Sequence, residues 1–501
     1  MRPAGPGPDP LRSRAFSPTA IGGLPRAQQG PRAHRRLAAT LLLAAPAGAA
    51  YTPGAPGAGD PYFPKAGNGG YDVEHYSLDL GYDRGTNLLT GAVLVKARAT
   101  QDLSRFNLDL RPSMRVRDLR INGKRATFTR EGEHELVITP PTGIGNGSKF
   151  KVMVHYSGNP EPVVDPDTSI EGWIPTHDGA FVVNEPQGSP GWYPVNDTPL
   201  DKATYDFEVT VPSGREAIAN GVLVSHSDDG QTATWRWSED NPMAPYLATA
   251  TNGEFETRFG TILGGLPEYN AVDPTTRRST SPAPEPELAW QRIESTQPAA
   301  VQIFSEIYGP YPFDAIGAIV DYAPNVFYHL ESQTKANYWV VPGVSTIVHE
   351  VAHQWVGNAV TPEAWNDIWL NEGFARWSEW IYTERTGGQS AQATFDANYA
   401  TPATNTGFWN PPPGNPGGPR SMFDGTIYTR GAMTIEALRQ KIADDDVFFG
   451  ILRAWYAENR NSNVSTADFI ALVKRETAIP DAELDNFFQV WLYEPGKPSS
   501  W

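Results

Sequence analysis

Ile347-Val348-His349-Glu350-Val351-Ala352-His353-Gln354-Trp355-Val356 decides how the second half of this 501-residue chain is read. Its apolar residues recur at helical spacing, which predicts a helix over 347–356. Residues four apart share a helix face, so His349 and His353 can both reach one metal ion, with Glu350 one step round beside it. The competing reading is a helix with two hydrogen-bonded histidines and a surface glutamate. With 9 His and 57 acidic residues in the sequence, about 0.02 His-acid-x-x-His matches are expected by chance, so the spacing favours chemistry.

Working outward, the segments 301–307, 369–385, 431–441 and 448–458 have helical periodicity, and 315–321 reads as a strand. The Pro-rich stretches 267–287 and 401–419 read as loops. Upstream, from residue 71 to 256, apolar residues mostly alternate, as in His75-Tyr76-Ser77-Leu78-Asp79-Leu80. Turn pairs such as Asn122-Gly123 and Asn220-Gly221 punctuate that region. The expected architecture is multidomain: an all-β sandwich over 71–256, then a mainly α-helical domain with a small sheet over 257–501.

Residues 1–36 are rich in Pro, Gly and Arg and end in Arg35-Arg36; 37–45 are apolar, and Ala47-Gly48-Ala49 follows. That order is the order of a secretory signal peptide, so 1–49 is expected to be a leader, 50–70 a linker, and the mature protein secreted. The alternative is a disordered arm with a chance apolar patch. No stretch supplies ~18 uninterrupted apolar residues, so no membrane span is expected. The net charge is -17. Seven Arg and one Asp in 1–49 contribute +6, so cleavage leaves -17 - 6 = -23. A surface this acidic repels phosphates and anionic lipids, which argues against nucleic acid and membrane partners. The absence of cysteine removes disulfides, thiolate zinc sites, thiol catalysis and iron–sulfur clusters, leaving His and carboxylates as metal ligands.

A catalytic zinc takes three protein ligands and keeps one position open. Eighteen residues separate His353 from Glu372, which stands in Trp369-Leu370-Asn371-Glu372-Gly373-Phe374-Ala375. Together these segments resemble the aminopeptidase N family of gluzincin zinc metallopeptidases, in its short secreted bacterial form. The resemblance implies a thermolysin-like catalytic domain holding one Zn2+ per chain, with Glu372 as the third ligand beside His349 and His353. It also implies Glu350 as general base and peptides with a free N-terminus as substrates. Ile427-Tyr428-Thr429-Arg430-Gly431-Ala432-Met433 looks like the family segment whose Tyr hydrogen-bonds the oxyanion, which assigns that role to Tyr428. Tyr193-Pro194-Val195-Asn196-Asp197-Thr198-Pro199 is similar to a family pattern in the β domain, and aligning it puts Glu185 where the family has Gln or Glu. Gly67-Asn68-Gly69-Gly70-Tyr71-Asp72-Val73 looks like the start of the short bacterial members.

The family's Gly-Ala-Met-Glu-Asn segment matches Tyr328-His329-Leu330-Glu331-Ser332 only at Glu331. A peptide α-amino group has a pKa near 7.7–8.0 and is largely cationic at neutral pH, so Glu185 and Glu331 are the candidates to hold it. Glu379, two helical turns after Glu372, and Asn371, next to it, are candidates to orient the ligands from behind. Only 129 residues follow Glu372, too few for the helical-repeat domain of longer members, and a monomer is expected. Two other readings stay open: a thermolysin-like endopeptidase, and a non-catalytic binding protein that keeps zinc as scaffold.

Overall fold

The computed structural model describes residues 50–499 and 501. The leader read at 1–49 lies outside them. Among the described residues, no helix is long and apolar enough to cross a membrane.

The β half is built on one eight-stranded sheet. Its centre is Tyr71–Asp83, antiparallel to Leu88–Ala99, which in turn pairs antiparallel with Lys149–Gly158. Ala203–Pro212 runs parallel to Tyr71–Asp83 on the other side, followed by Thr232–Met243. Alternation puts Tyr71 and Val73 into the core, but then Tyr76, Leu78, Leu80 and Tyr82. The change of parity is a β-bulge between Val73 and His75, where one extra residue flips every later side chain to the opposite face. Asn122 (φ 50°) and Gly123 (φ 80°) make the hairpin turn their pairing predicts. A four-stranded and a five-stranded sheet complete this half. The two-sheet sandwich expected from the alternation is therefore three sheets. A period of two identifies strands but does not say which strands share a sheet.

Residues 50–70 are not a free linker. Thr52–Pro53 pairs with Leu103–Asp109. The Asp60 carboxylate accepts from the Phe63 N–H at 2.9 Å and, across to the helical half, from the Trp365 N–H at 2.7 Å. The segment expected to be a linker is thus tied down by hydrogen bonds.

The second half contains helices α1 (Pro286–Ile307), α2 (Val344–Ala352), α3 (Trp369–Arg385), α4 (Ala391–Tyr399), α5 (Thr406–Trp409), α6 (Gly425–Ile442), α7 (Asp445–Asn459), α8 (Thr466–Glu476) and α9 (Asp481–Phe488). A four-stranded sheet of Glu256–Ile262, Leu266–Val272, Ala318–Val320 and Ala336–Tyr338 flanks them. Pro267 lies in a strand, Leu266–Val272, rather than a loop. Its carbonyl accepts from the Ile316 N–H at 2.9 Å, so sheet pairing overrides the turn signal of its composition. Likewise α5 inserts one helical turn into the Pro-rich stretch 401–419.

The apolar residues of α2 and its continuation form its packing face: Ile347, Val348, Val351 and Trp355 are buried, and the Trp355 indole meets Phe304 of α1 edge-on at 6.0 Å. α3 crosses α6 at a glycine pair. A Cβ built on Gly373 would lie 2.9 Å from the Gly431 Cα, and one built on Gly431 would lie 2.8 Å from the Gly373 Cα. Only residues without side chains let two helices touch backbone to backbone, and this contact sets Glu372 of α3 beside Tyr428 of α6. The buried Arg430 then anchors the end of the chain to α6. Its guanidinium donates to the carbonyls of Trp409, Val490, Trp491, Glu494 and Gly496.

Candidate active site

Helix α2 ends at Ala352, earlier than its apolar pattern suggests, and His353 forms its C-cap at φ -56°, ψ -24°. The chain then turns back at Gly357 (φ 122°), where a Cβ would sit 3.1 Å from His353 Nδ1. That return brings the Val356 carbonyl within 3.0 Å of His353 Nδ1, which turns Nε2 toward α3. There Glu372 Oε2 lies 3.0 Å from His349 Nε2 and 3.6 Å from His353 Nε2. One atom from each of the three residues falls within 4.8 Å of the others. Two neutral imidazole nitrogens and a carboxylate oxygen at this separation are a donor set that fits zinc with an open position.

The remaining ring nitrogen of His349 faces Glu379 Oε1 at 2.8 Å. Glu379 is itself held by Ser345 Oγ–H and by Arg376 Nη1–H at 2.9 Å. Such backing carboxylates fix the tautomer and orientation of a ligating imidazole. Burial disfavours charge on His349, yet the hydrogen bonds to Glu372 and Glu379 outweigh it and raise its pKa to about 10. A coordinated cation would take the place of that proton. Burial alone would raise the Glu372 carboxyl, but His353 and His349 pull it down to about 2. Asn371 Nδ2 reaches the Tyr246 hydroxyl at 3.5 Å, and its amide shares the close space at Gly357 with His353 Nδ1: a Cβ there would lie 3.3 Å from the amide and 3.1 Å from the ring nitrogen.

Glu350 is buried in the same cleft, and burial is the chief cause that raises its carboxyl to about 8, against the pull of the two imidazoles. The Tyr428 ring stacks 5.9 Å from that of His349 at 28°. The Arg376 guanidinium lies over the Tyr428 ring, 5.8 Å from its centroid. Arg376 was not singled out from sequence, although it stands four residues after Glu372 on the same helix, a spacing that could have found it.

Glu331 enters on the segment 328–332. The N–H of Leu330 donates to the Asn337 carbonyl at 2.9 Å, hanging that segment on the edge of the four-stranded sheet. Asn358 and Gln354, just past the helix, donate to the Glu331 carbonyl at 2.7 and 3.1 Å. Carboxylate oxygens of Glu331 and Glu350 come within 4.8 Å of each other and of a His353 nitrogen. Glu185 arrives from the β half. Glu185 Oε1 and Glu331 Oε1 are both buried without a hydrogen-bond partner. Burial, then Glu331 and Glu372, push the Glu185 carboxyl far up, and burial raises that of Glu331 against the opposing pull of His353. Every site residue expected from the sequence except Asn371 lines one cleft of about 460 Å³. His329 also lines it, with a buried Nδ1 that has no partner, a feature the sequence did not signal.

The sequence model of the peptidase M1 N-terminal domain matches residues 72–247, and that of the peptidase family M1 domain matches 323–491. The chain belongs to peptidase family M1. An M1 zinc metallopeptidase from Deinococcus radiodurans superposes with a TM-score of 0.76 at 28% identity, over 88% of this chain and 99% of that one. A variant of the Deinococcus enzyme has been solved with the substrate Tyr-Ser-Ala bound. Among curated relatives, leukotriene A-4 hydrolase of Xenopus laevis is 23% identical over 85% of this chain and 72% of its own length. Glutamyl aminopeptidase of Bos taurus is 25% identical over 63% of this chain. This M1 chain spans only 34% of the length of that bovine relative. It is a zinc metallopeptidase of the M1 family, with a mostly β N-terminal domain and a helical C-terminal domain that carries the His349–His353–Glu372 cluster.

Proposed function

We propose that this M1 peptidase is a secreted, monomeric aminopeptidase that removes single residues from the free N-terminus of peptides, on a thermolysin-like catalytic domain. The observation that carries the reading is the pair of buried, unpartnered carboxylate oxygens, Glu185 Oε1 and Glu331 Oε1, in the cleft that holds the metal ligands. Two carboxylates whose pKa values are raised by burial are a costly arrangement until a cation pairs with them. A peptide α-ammonium supplies that cation and, once held, presents the first peptide bond to the ligand cluster.

His349, His353 and Glu372 would hold zinc, and the ion would supply a Lewis acid able to acidify water and polarise a carbonyl. Glu350 accepts the proton of the attacking water and passes it to the leaving amine. A carboxyl whose pKa is raised to about 8 is matched to that exchange near neutral pH. Tyr428 keeps its proton, because burial and the surrounding carboxylates push its ionisation far up, so it donates to the oxyanion as charge develops there. Glu379 holds His349 in place, and Arg376 holds Glu379. The leader pattern at 1–49 supports export, which N-terminal sequencing of the protein from culture medium would test.

The deciding experiment compares free and N-acetylated peptides, in wild type and in Glu331→Ala and Glu185→Ala. Free peptides should be cut and acetylated ones spared. Each substitution should lower kcat/KM, Glu331→Ala more so because Glu331 lies nearer the imidazoles. Equal cleavage of acetylated peptides would make the protein an endopeptidase. Zinc binding with no hydrolysis of either would make it a non-catalytic binding protein.

A further inference from the structure

We propose that Asp167 makes this cleft select peptides whose first residue carries a cationic side chain, an inference that rests on the aminopeptidase reading above. Six carboxylates line the cleft: Asp167, Glu185, Glu331, Glu350, Glu372 and Glu379. Five have work already, at the metal, behind it, as base, or at the α-ammonium. Asp167 is left over, and the lining holds only one Arg or Lys, Arg376, already paired with Glu379 at 2.9 Å.

The position of Asp167 relative to the amine clamp follows from Tyr328. The Tyr328 hydroxyl donates to the Ile170 carbonyl at 3.2 Å, tying the segment that carries Glu331 to the loop that carries Asp167. Burial is the main reason the Tyr328 phenol resists ionisation, and the carboxylates of Glu171, Glu185, Asp165 and Asp167 add to it, so the ring sits among all four. Two of these are not open to a ligand: Asp165 and Glu171 are buried and hydrogen-bonded to each other, and Glu171 also accepts from the Gln187 N–H. Glu185 belongs to the amine clamp. Asp167 is the one half-exposed acid, and it lines the cleft together with Ser169, Phe327 and Tyr328.

Its carboxylate is held at one oxygen. Both the N–H and the hydroxyl of Ser169 donate to Asp167 Oδ1, at 2.9 and 2.7 Å, so among the described residues Oδ2 is the oxygen without a protein donor. A substrate whose ammonium sits between Glu185 and Glu331 sends its first side chain from the adjoining Cα past Tyr328 and Phe327. The methylenes of Arg or Lys pack along those rings while the charged head continues to Asp167. A guanidinium gains further from lying over an aromatic face. A neutral side chain of the same length takes the apolar part only and leaves Asp167 to water.

The test is a panel of amino-acid arylamides with Arg, Lys, citrulline, norleucine and Ala at the first position, assayed on the zinc-loaded enzyme and on Asp167→Asn. Citrulline keeps the shape of Arg without its charge. Arg and Lys should exceed citrulline and norleucine in kcat/KM by tenfold or more, mainly through KM, with the margin shrinking in 0.5 M salt. Asp167→Asn should remove that margin while leaving norleucine and Ala within twofold. The Arg-to-citrulline ratio of the wild type tests the idea even if the variant folds poorly. Citrulline cleaved as fast as Arg, or a variant that slows all five equally, overturns the selectivity and leaves the aminopeptidase reading standing. Cleavage of none of the five overturns both.

Discussion

Replacing Gly431 with alanine tests whether the backbone contact between α3 and α6 sets the geometry of the site. The added Cβ would lie 2.8 Å from the Gly373 Cα and 3.5 Å from its nitrogen. Nonbonded carbons settle at about 3.5–4.0 Å, so the helices must part by roughly 1 Å at this point. Glu372 precedes Gly373, and Tyr428 lies one helical turn before Gly431, so the displacement falls directly between a metal ligand and the proposed oxyanion donor. Misplacing a reacting group by 1 Å can cost about 10²-fold in rate. Overpacking of this kind costs about 1–3 kcal/mol, offset by the roughly 1 kcal/mol that alanine gains over glycine in a helix. The expected variant is therefore nearly as stable as wild type but 10- to 100-fold slower in kcat, with one zinc still bound. Arylamide kinetics, thermal unfolding and metal analysis on the same preparation check this. A kcat within twofold of wild type would show that the crossing does not position Tyr428.

Glu379→Gln removes the charge behind His349 and should weaken zinc affinity about 10- to 100-fold, measured by competition with a chromophoric chelator. Arg430→Met deprives five carbonyls of their donor, three of them buried. The loss should destabilise the protein by at least ~3 kcal/mol in urea unfolding. Asp109 should make stability fall as pH rises. Burial raises its carboxyl from 3.8 to about 7 in a cluster with Glu135, His134, Asp197 and Arg111. The folded state thus binds more protons than the unfolded one between pH ~4 and ~7, and the contribution present below pH ~4 is lost as pH passes 7. The stability of wild type relative to Asp109→Asn should therefore be greater at pH 5 than at pH 8, and equal differences at both would contradict the assignment.

The parts of the fold governed by local periodicity could be read directly. Helix α3 runs over the residues its pattern predicts, and the four-residue and seven-residue spacings place His353 on the face of His349 and Glu379 on that of Glu372. What escaped was decided by distant chain. The bulge at Val73–His75 exists only because a second strand shifts register there. Pro267 is a strand residue because the chain at Ile316 pairs with it. The early end of α2 depends on Gly357, whose turn has no helical signature. Asp167 and His329 come to the cleft from loops more than 150 residues apart in sequence, and no spacing rule connects them.

The most direct test of metal-assisted hydrolysis at this site is Glu350→Gln. The amide preserves size and helix packing but cannot accept a proton. Zinc content by elemental analysis and single-turnover kinetics on a free peptide would be measured on one sample. The result expected is one zinc per chain with turnover reduced by 10³-fold or more. Stoichiometric zinc with a near-normal rate would contradict the assignment of Glu350 as the base.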